Sequence, residues 1–89
     1  TPGRLVMGTL TIVYNHHAND LQEKLHHIQH QYLDLVITSV HVHVDEDNCM
    51  EVIILKGETG IVQDVANMIL GTKGVKTGKL VMTTTGAYI

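Results

Sequence analysis

At 89 residues and 44% apolar, with no Trp and no Phe, the chain makes one domain whose core must come from Leu, Val, Ile and Met. A formal net charge of -3 excludes a basic nucleic-acid-binding surface on this segment, and no apolar run reaches membrane-spanning length. The single cysteine cannot close an internal disulfide, which fits a reducing, cytoplasmic setting; so short a chain without large aromatics is also expected to bury further apolar surface by oligomerisation. No signal peptide is visible, and Thr1-Pro2-Gly3 in place of an initiating Met points to a fragment of something longer.

Thr1 to Gly3 reads as an extended lead-in punctuated by Pro and Gly. Leu5 to Tyr14 is a strand, and Leu10, Ile12 and Val13, apolar on both faces, make it a buried strand rather than an edge. Asn15 to Asn19 breaks the run, with Asn19 or a residue just before it as the cap of the next element. From about Asp20 to Tyr32, Leu21, Leu25, Ile28 and Tyr32 form the stripe of an amphipathic helix, with Gln22, Glu23, His26, His27 and His30 off it. Leu33-Asp34 is its exit. Leu35 to Val44 is a second strand, Asp45 to Asn48 a turn, and Cys49 to Leu55 a third strand ended by Lys56-Gly57. A second helix from about Glu58 to Leu70 carries Ile61, Val62, Val65, Met68 and Ile69 as its apolar stripe, and Gly71 to Gly74 stops it. Val75 to Thr84 is the last strand and Thr85 to Ile89 a tail. The order β-α-β-β-α-β is the ferredoxin-like order, also used by small regulatory domains of the ACT type. It predicts an α+β fold over residues 1–89, a four-stranded antiparallel sheet with both helices on one face.

The chemistry gathers in His41-Val42-His43-Val44-Asp45-Glu46-Asp47-Asn48-Cys49. Alternation along a strand sends His41 and His43 to one face and Val40, Val42 and Val44 to the other, where they read as core. In a hairpin that sets His43 opposite Cys49, His41 pairs with Glu51, Ser39 with Ile53 and Ile37 with Leu55. A four-residue loop would instead set Cys49 opposite Val44, on the wrong face. In the first register the smooth apolar set of Val36, Thr38, Val40, Val42, Val44, Met50, Val52 and Ile54 is expected under the helices. The His/Cys face is then uncovered, and Ile37, Ile53 and Leu55 form an exposed patch that a second copy would cover, placing the site near a subunit interface. Two imidazoles and a thiolate suit a borderline divalent metal: zinc by default, nickel or copper if the shell is planar and nitrogen-rich. The plainer reading is ordinary strand residues, with Cys49 a small buried hydrophobe. His26 and His30, four apart, and His27 and His30, three apart, have chelating spacings on a helix; they, like His16 and His17, also read as polar surface rich in His.

Gln29-His30, Asp34-Leu35, His41-Val42-His43 with Cys49 and Glu51, and Leu55-Lys56-Gly57 closely resemble the C-terminal domain of the nickel-responsive transcriptional repressors, the NikR family. The resemblance runs from Gly8 to about Leu80 and includes the eleven-residue spacing from His30 to His41. It implies a square-planar Ni(II) site of His41, His43 and Cys49 from one subunit and His30 from a neighbouring subunit. It further implies a homotetrameric core of ACT-like domains, and N-terminal ribbon-helix-helix domains, absent from this chain, that bind operator DNA at nickel-uptake promoters. By the same resemblance Tyr14, Gln29 and Glu51 orient the ligands through hydrogen bonds. Histidines near His26 and His27 support auxiliary sites in some relatives; here Gln31 and Tyr32 stand where others continue a histidine run.

The expected function is metal sensing rather than catalysis. Ni(II) displaces protons from Cys49 and the imidazoles, so affinity falls in acid. A filled shell orders Cys49, the turn Asp45 to Asn48 and the end of the first helix, favouring operator binding by the whole protein. The competing readings are a zinc or copper ACT-type module, a small metallohydrolase with Glu51 as general base, and an amino-acid-binding ACT module. The last usually has a glycine-rich turn after its first strand, where this chain has Asn15 to Asn19.

Overall fold

Periodicity in the sequence resolves into six elements. In the computed structural model, which describes residues 4–18 and 20–86, β1 (Leu5–Asn15), α1 (Leu21–Gln31), β2 (Val36–His43), β3 (Asn48–Glu58), α2 (Thr59–Leu70) and β4 (Val75–Thr84) are arranged in βαββαβ order. The lead-in at 1–3, Asn19 as a cap and residues 87–89 of the tail lie outside the described residues. The sheet runs β2-β3-β1-β4 with every neighbouring pair antiparallel. This is the expected α+β, ferredoxin-like and ACT-like arrangement, and β1 is an interior strand as its apolar faces require. β3 does not stop at Lys56-Gly57; those residues pair with Met7 and Val6, and the ladder continues to Glu58 opposite Leu5.

The helices begin differently. Asp20 precedes α1 in a left-handed conformation, φ 63°, and no side chain caps the helix there. At α2, the Glu58 carboxylate accepts the Gly60 and Ile61 amides at 3.0 and 3.1 Å, satisfying two of the donors a helix start leaves open. The α1 stripe packs as read, with Leu21 and Leu25 buried and Ile28 and Tyr32 against the core. The α2 stripe is Val62, Val65, Ala66 and Ile69; Ile61 and Met68 are exposed, because the buried face turns toward Ala66, whose small side chain lets the helix sit close.

The face of the sheet under the helices is the opposite of the one expected. Leu10, Ile12 and Tyr14 of β1 lie opposite Ile53, Glu51 and Cys49 of β3, and this block meets both helices. Ile53 and Leu55 are therefore core. Val40, Val42 and Val44 are 53%, 42% and 55% exposed on the open side. The two interior strands decide which face is covered, whereas β2 is an edge strand whose valines have no say in it. The anticipated register holds from Ser39↔Ile53 through His41↔Glu51 to His43↔Cys49. Further along, Val36 takes the place opposite Leu55 because Ile37 is the extra residue of a bulge.

Gly78 of β4 lies opposite Ile12, where α2 crosses closely. A Cβ there would stand 2.6 Å from both the Thr11 carbonyl oxygen and Leu70 Cδ2. Gly78→Ala is expected to cost about 1–3 kcal/mol by overpacking. The urea midpoint, compared at one protein concentration, checks it; an unchanged midpoint would show that β4 can move away from β1 at no cost.

Candidate metal centre

Register assembles the site. Cys49 has His43 on one side and Tyr14 on the other; Glu51 has His41 and Ile12. Opposed residues share a face, so the two rows project together on the helix side. β2 lies at the edge of the sheet, so its imidazoles stay exposed while Cys49 is 0% exposed. Sγ of Cys49 is 3.8 Å from Nδ1 of His43, and the His41 and His43 ring centroids are 6.0 Å apart. Donors that share an ion at bond lengths of ~2.0–2.3 Å stand about 3 Å apart when adjacent. The Cys49–His43 pair is within a small side-chain shift of that spacing. Among the described residues, no three His, Cys, Asp or Glu side chains stand close enough to enclose an ion within one chain. The donors are those of a borderline divalent metal, laid out as an open half-shell at a sheet edge.

Hydrogen bonds brace this half-shell from beneath. The buried Glu51 carboxylate, 8% exposed, accepts the Gln29 side-chain amide at 2.8 Å and the Tyr14 hydroxyl at 3.5 Å. The Tyr14 ring stacks on His41, with centroids 6.1 Å apart and planes 30° apart. Burial pushes the Tyr14 phenol up from its ordinary value; a hydrogen bond with Gln22 pulls back, and the Glu51 and Cys49 charges add to the rise. The phenol is thereby kept as a donor toward Glu51. Tyr14, Gln29, Glu51, His41, Ser39 and His26 line a cleft of about 170 Å³ between α1 and the β2 edge.

His30 is elsewhere. It is exposed on α1 and lines a shallow groove with Glu23, His26 and His27; the groove shares His26 and Gln22 with the cleft that His41 enters, which His30 does not line. Within one chain it is not brought to the other three.

The turn before Cys49 is held by groups that sequence reasoning left as plain polar surface. Asp45 accepts the Asp47 and Asn48 amides, each at 2.9 Å. These bonds, the Asn48 side chain and the charge of Lys76 hold its carboxyl below the usual carboxylate range. His16 donates its backbone N–H to the Asp47 carbonyl at 3.0 Å and brings its Nε2 to 2.6 Å from the Glu46 carbonyl. Its ring meets those of His17 at 3.9 Å and His43 at 5.6 Å, and His17 Nε2 is 3.6 Å from Asp47 Oδ1. The signal was available: pairing β1 with β3 puts Asn15 opposite Asn48, so the turn leaving β1 must lie beside the turn entering β3.

An ACT-like domain that gathers a cysteine and two histidines at a sheet edge has the donor set of a metal-binding module. The family model described as the NikR C terminal nickel binding domain matches residues 7–83, and the chain belongs to that family. It is 52% identical over 83 residues to a protein of Thermococcus onnurineus and 56% identical over 81 residues to one of Pyrococcus horikoshii, both provisionally named nickel-responsive regulators. These matches cover 93% and 91% of this chain and 60% and 59% of the relatives, so the chain spans about three fifths of their length. Ni(II) is thereby the metal of this domain. Two solved structures share the fold. An uncharacterized protein of Thermotoga maritima has a TM-score of 0.78 at 17% identity, covering 91% of this chain and all of that one. The C-terminal domain of the MgtC protein from Mycobacterium tuberculosis has a TM-score of 0.65 at 10% identity, covering 91% and 90%. No helix among the described residues is long and apolar enough to cross a membrane.

Proposed function

We propose that residues 1–89 form the nickel-sensing and tetramerisation domain of a cytoplasmic, Ni(II)-dependent transcriptional repressor. His41, His43 and Cys49 of one subunit hold Ni(II), and His30 of a neighbouring subunit completes the shell. The observation that carries this reading is the half-shell at the β2 edge, where exposed His41 and His43 meet buried Cys49 without closing around an ion, while His30 lies exposed on α1 outside their cleft. The bound ion supplies coordination bonds that tie two subunits together. The residues of this chain do the rest: Cys49 gives up its thiol proton, so binding weakens in acid; Glu51, held by Gln29 and Tyr14, fixes the strand that carries Cys49; and the Tyr14 ring sets the His41 plane. Operator binding belongs to the portion of the longer relatives outside the matched segment, consistent with the net charge of -3 on this one. A shell closed between subunits by these residues would bias how the attached domains are arranged. Engagement of Glu51 by Gln29 and Tyr14 favours this reading over a hydrolytic one, since a general base needs a free oxygen near the metal.

Mixed oligomers test the shared shell. His30→Ala and His41→Ala proteins are each expected to lose most of their nickel affinity. At an interface between one of each, one of the two sites regains every ligand. Equilibrium dialysis of the mixture, after mass spectrometry has verified subunit exchange, should recover tight sites. No recovery would remove His30 from the shell as a ligand acting between subunits.

A further inference from the structure

β4 reaches the ligand turn from across the sheet. Its ladder with β1 pairs Val13 with Thr77 and Tyr14 with Val75, so Lys76 is the extra residue of a bulge. A bulged residue leaves the alternation of its strand and its side chain is re-aimed, often beside a functional site. Here the Lys76 ammonium passes the end of β1 and donates to Asn48 Oδ1 on β3 at 2.6 Å. The Asn48 amide nitrogen in turn donates to both Asp45 carboxylate oxygens, at 3.1 and 3.2 Å. The chemistry of the two ends fixes the orientation of that amide: a carboxylate only accepts and an ammonium only donates. The Asn48 carbonyl, for its part, accepts the Val44 and Asp45 amides at 3.0 and 3.3 Å, closing the turn between His43 and Cys49.

We propose that Lys76 is a positioning residue for the nickel site: through Asn48 and Asp45 it clamps the turn that separates His43 from Cys49, and so presets the distance between these two ligands. This rests on the nickel reading above. An exposed lysine of this kind adds little to global stability, because ion pairs in water are screened and cost side-chain entropy. Its contribution lies in where the turn is held before the metal arrives. Without the ammonium, Asn48 Oδ1 has water as its partner, the amide is free to rotate, and Asp45 loses the Asn48 side-chain donor, keeping only the backbone amides. Binding must then pay the ordering cost that the clamp had already met. The same relay makes β4, through the bulge beside Tyr14, a second element that holds the ligand hairpin in place.

The test is Lys76→Met, which keeps the length of the side chain and removes the charge, with Lys76→Arg as the conservative variant. In the metal-free protein, hydrogen exchange at the Asp47 and Asn48 amides, read by NMR, is expected to quicken several-fold in Lys76→Met and to return toward the parent rate in Lys76→Arg, with the urea midpoint unchanged. Nickel affinity in Lys76→Met should fall about 10-fold, the lower end of what removing a partner around a metal ligand costs. Unchanged exchange at both amides would overturn the clamp. Quickened exchange with parental nickel affinity would overturn its role at the ligands. Failure of the parent protein to bind nickel would instead sink the nickel reading, and the exchange measurement separates that outcome because it needs no metal.

Discussion

Cys49→Ala is expected to abolish the thiolate-to-nickel charge-transfer band and to lower nickel affinity by more than ~100-fold, since loss of a group that merely supports a ligand already costs 10–100-fold. The thiol is fully buried on the helix side of β3, between His43 and Tyr14, so its removal leaves a small void. Loss of one sulfur atom from such a site costs about 1 kcal/mol or less of stability. This split between a large loss of binding and a small loss of stability separates the two readings of the residue. A cysteine that is only a small buried hydrophobe would show the stability cost alone, with the visible spectrum and the nickel titration unchanged. Near-ultraviolet and visible spectra are recorded during the titration, alongside a urea melt of each protein. Retention of the band in Cys49→Ala would remove the thiolate from the proposed shell.

Much of the hairpin that carries Cys49 was legible in the sequence. Its pairing of His43 with Cys49, and with it the shared face of His41 and Glu51, is one of two registers open to the sequence; turn length does not choose it, since a four-residue turn from Asp45 to Asn48 would set Cys49 opposite Val44. The six elements follow from the 3.6-residue and two-residue periods. Orientation of the sheet was not legible in β2, because Val40, Val42 and Val44 look like core wherever they point. The deciding residues are in β1 and β3, where Leu10, Ile12, Ile53 and Leu55 form one continuous block beneath both helices. The bulge at Ile37 shifts β2 by one position and cannot be read from apolar alternation. Lys76 was invisible for a similar reason: a lysine on a strand reads as solvent-facing until the bulge beside Tyr14 turns it toward Asn48. His30 stands out in the family resemblance, yet no property of a single chain ties it to His41. A ligand proposed to come from another subunit leaves no local trace.

That reversal of faces changes what assembly must look like. The half-shell and the exposed valines would share one interface if both lay on the uncovered face. Instead His41, His43 and Cys49 project on the helix side, and Val40 and Val42 project on the other, beside half-buried Met50, Val52 and Ile54. Two different surfaces are then available for two different contacts, and a closed tetramer with two-fold symmetries uses two kinds of interface. In the proposed tetramer one would be apolar and pack sheet on sheet; the other would hold nickel between β2 of one subunit and α1 of its neighbour. Val42→Lys tests this division. Burying a valine contributes about 1.5–3 kcal/mol, and an unpaired ammonium in the same place opposes association outright. Val42 lies on an edge strand and outside the core, so the variant is expected to fold. Sedimentation at micromolar concentration should show the tetramer reduced to a dimer, with one nickel per subunit retained at near-parental affinity, because the metal-bearing contact is on the opposite face. An unchanged tetramer would mean that the open face is not an interface. A dimer or monomer that lost its nickel would mean that the two contacts are one.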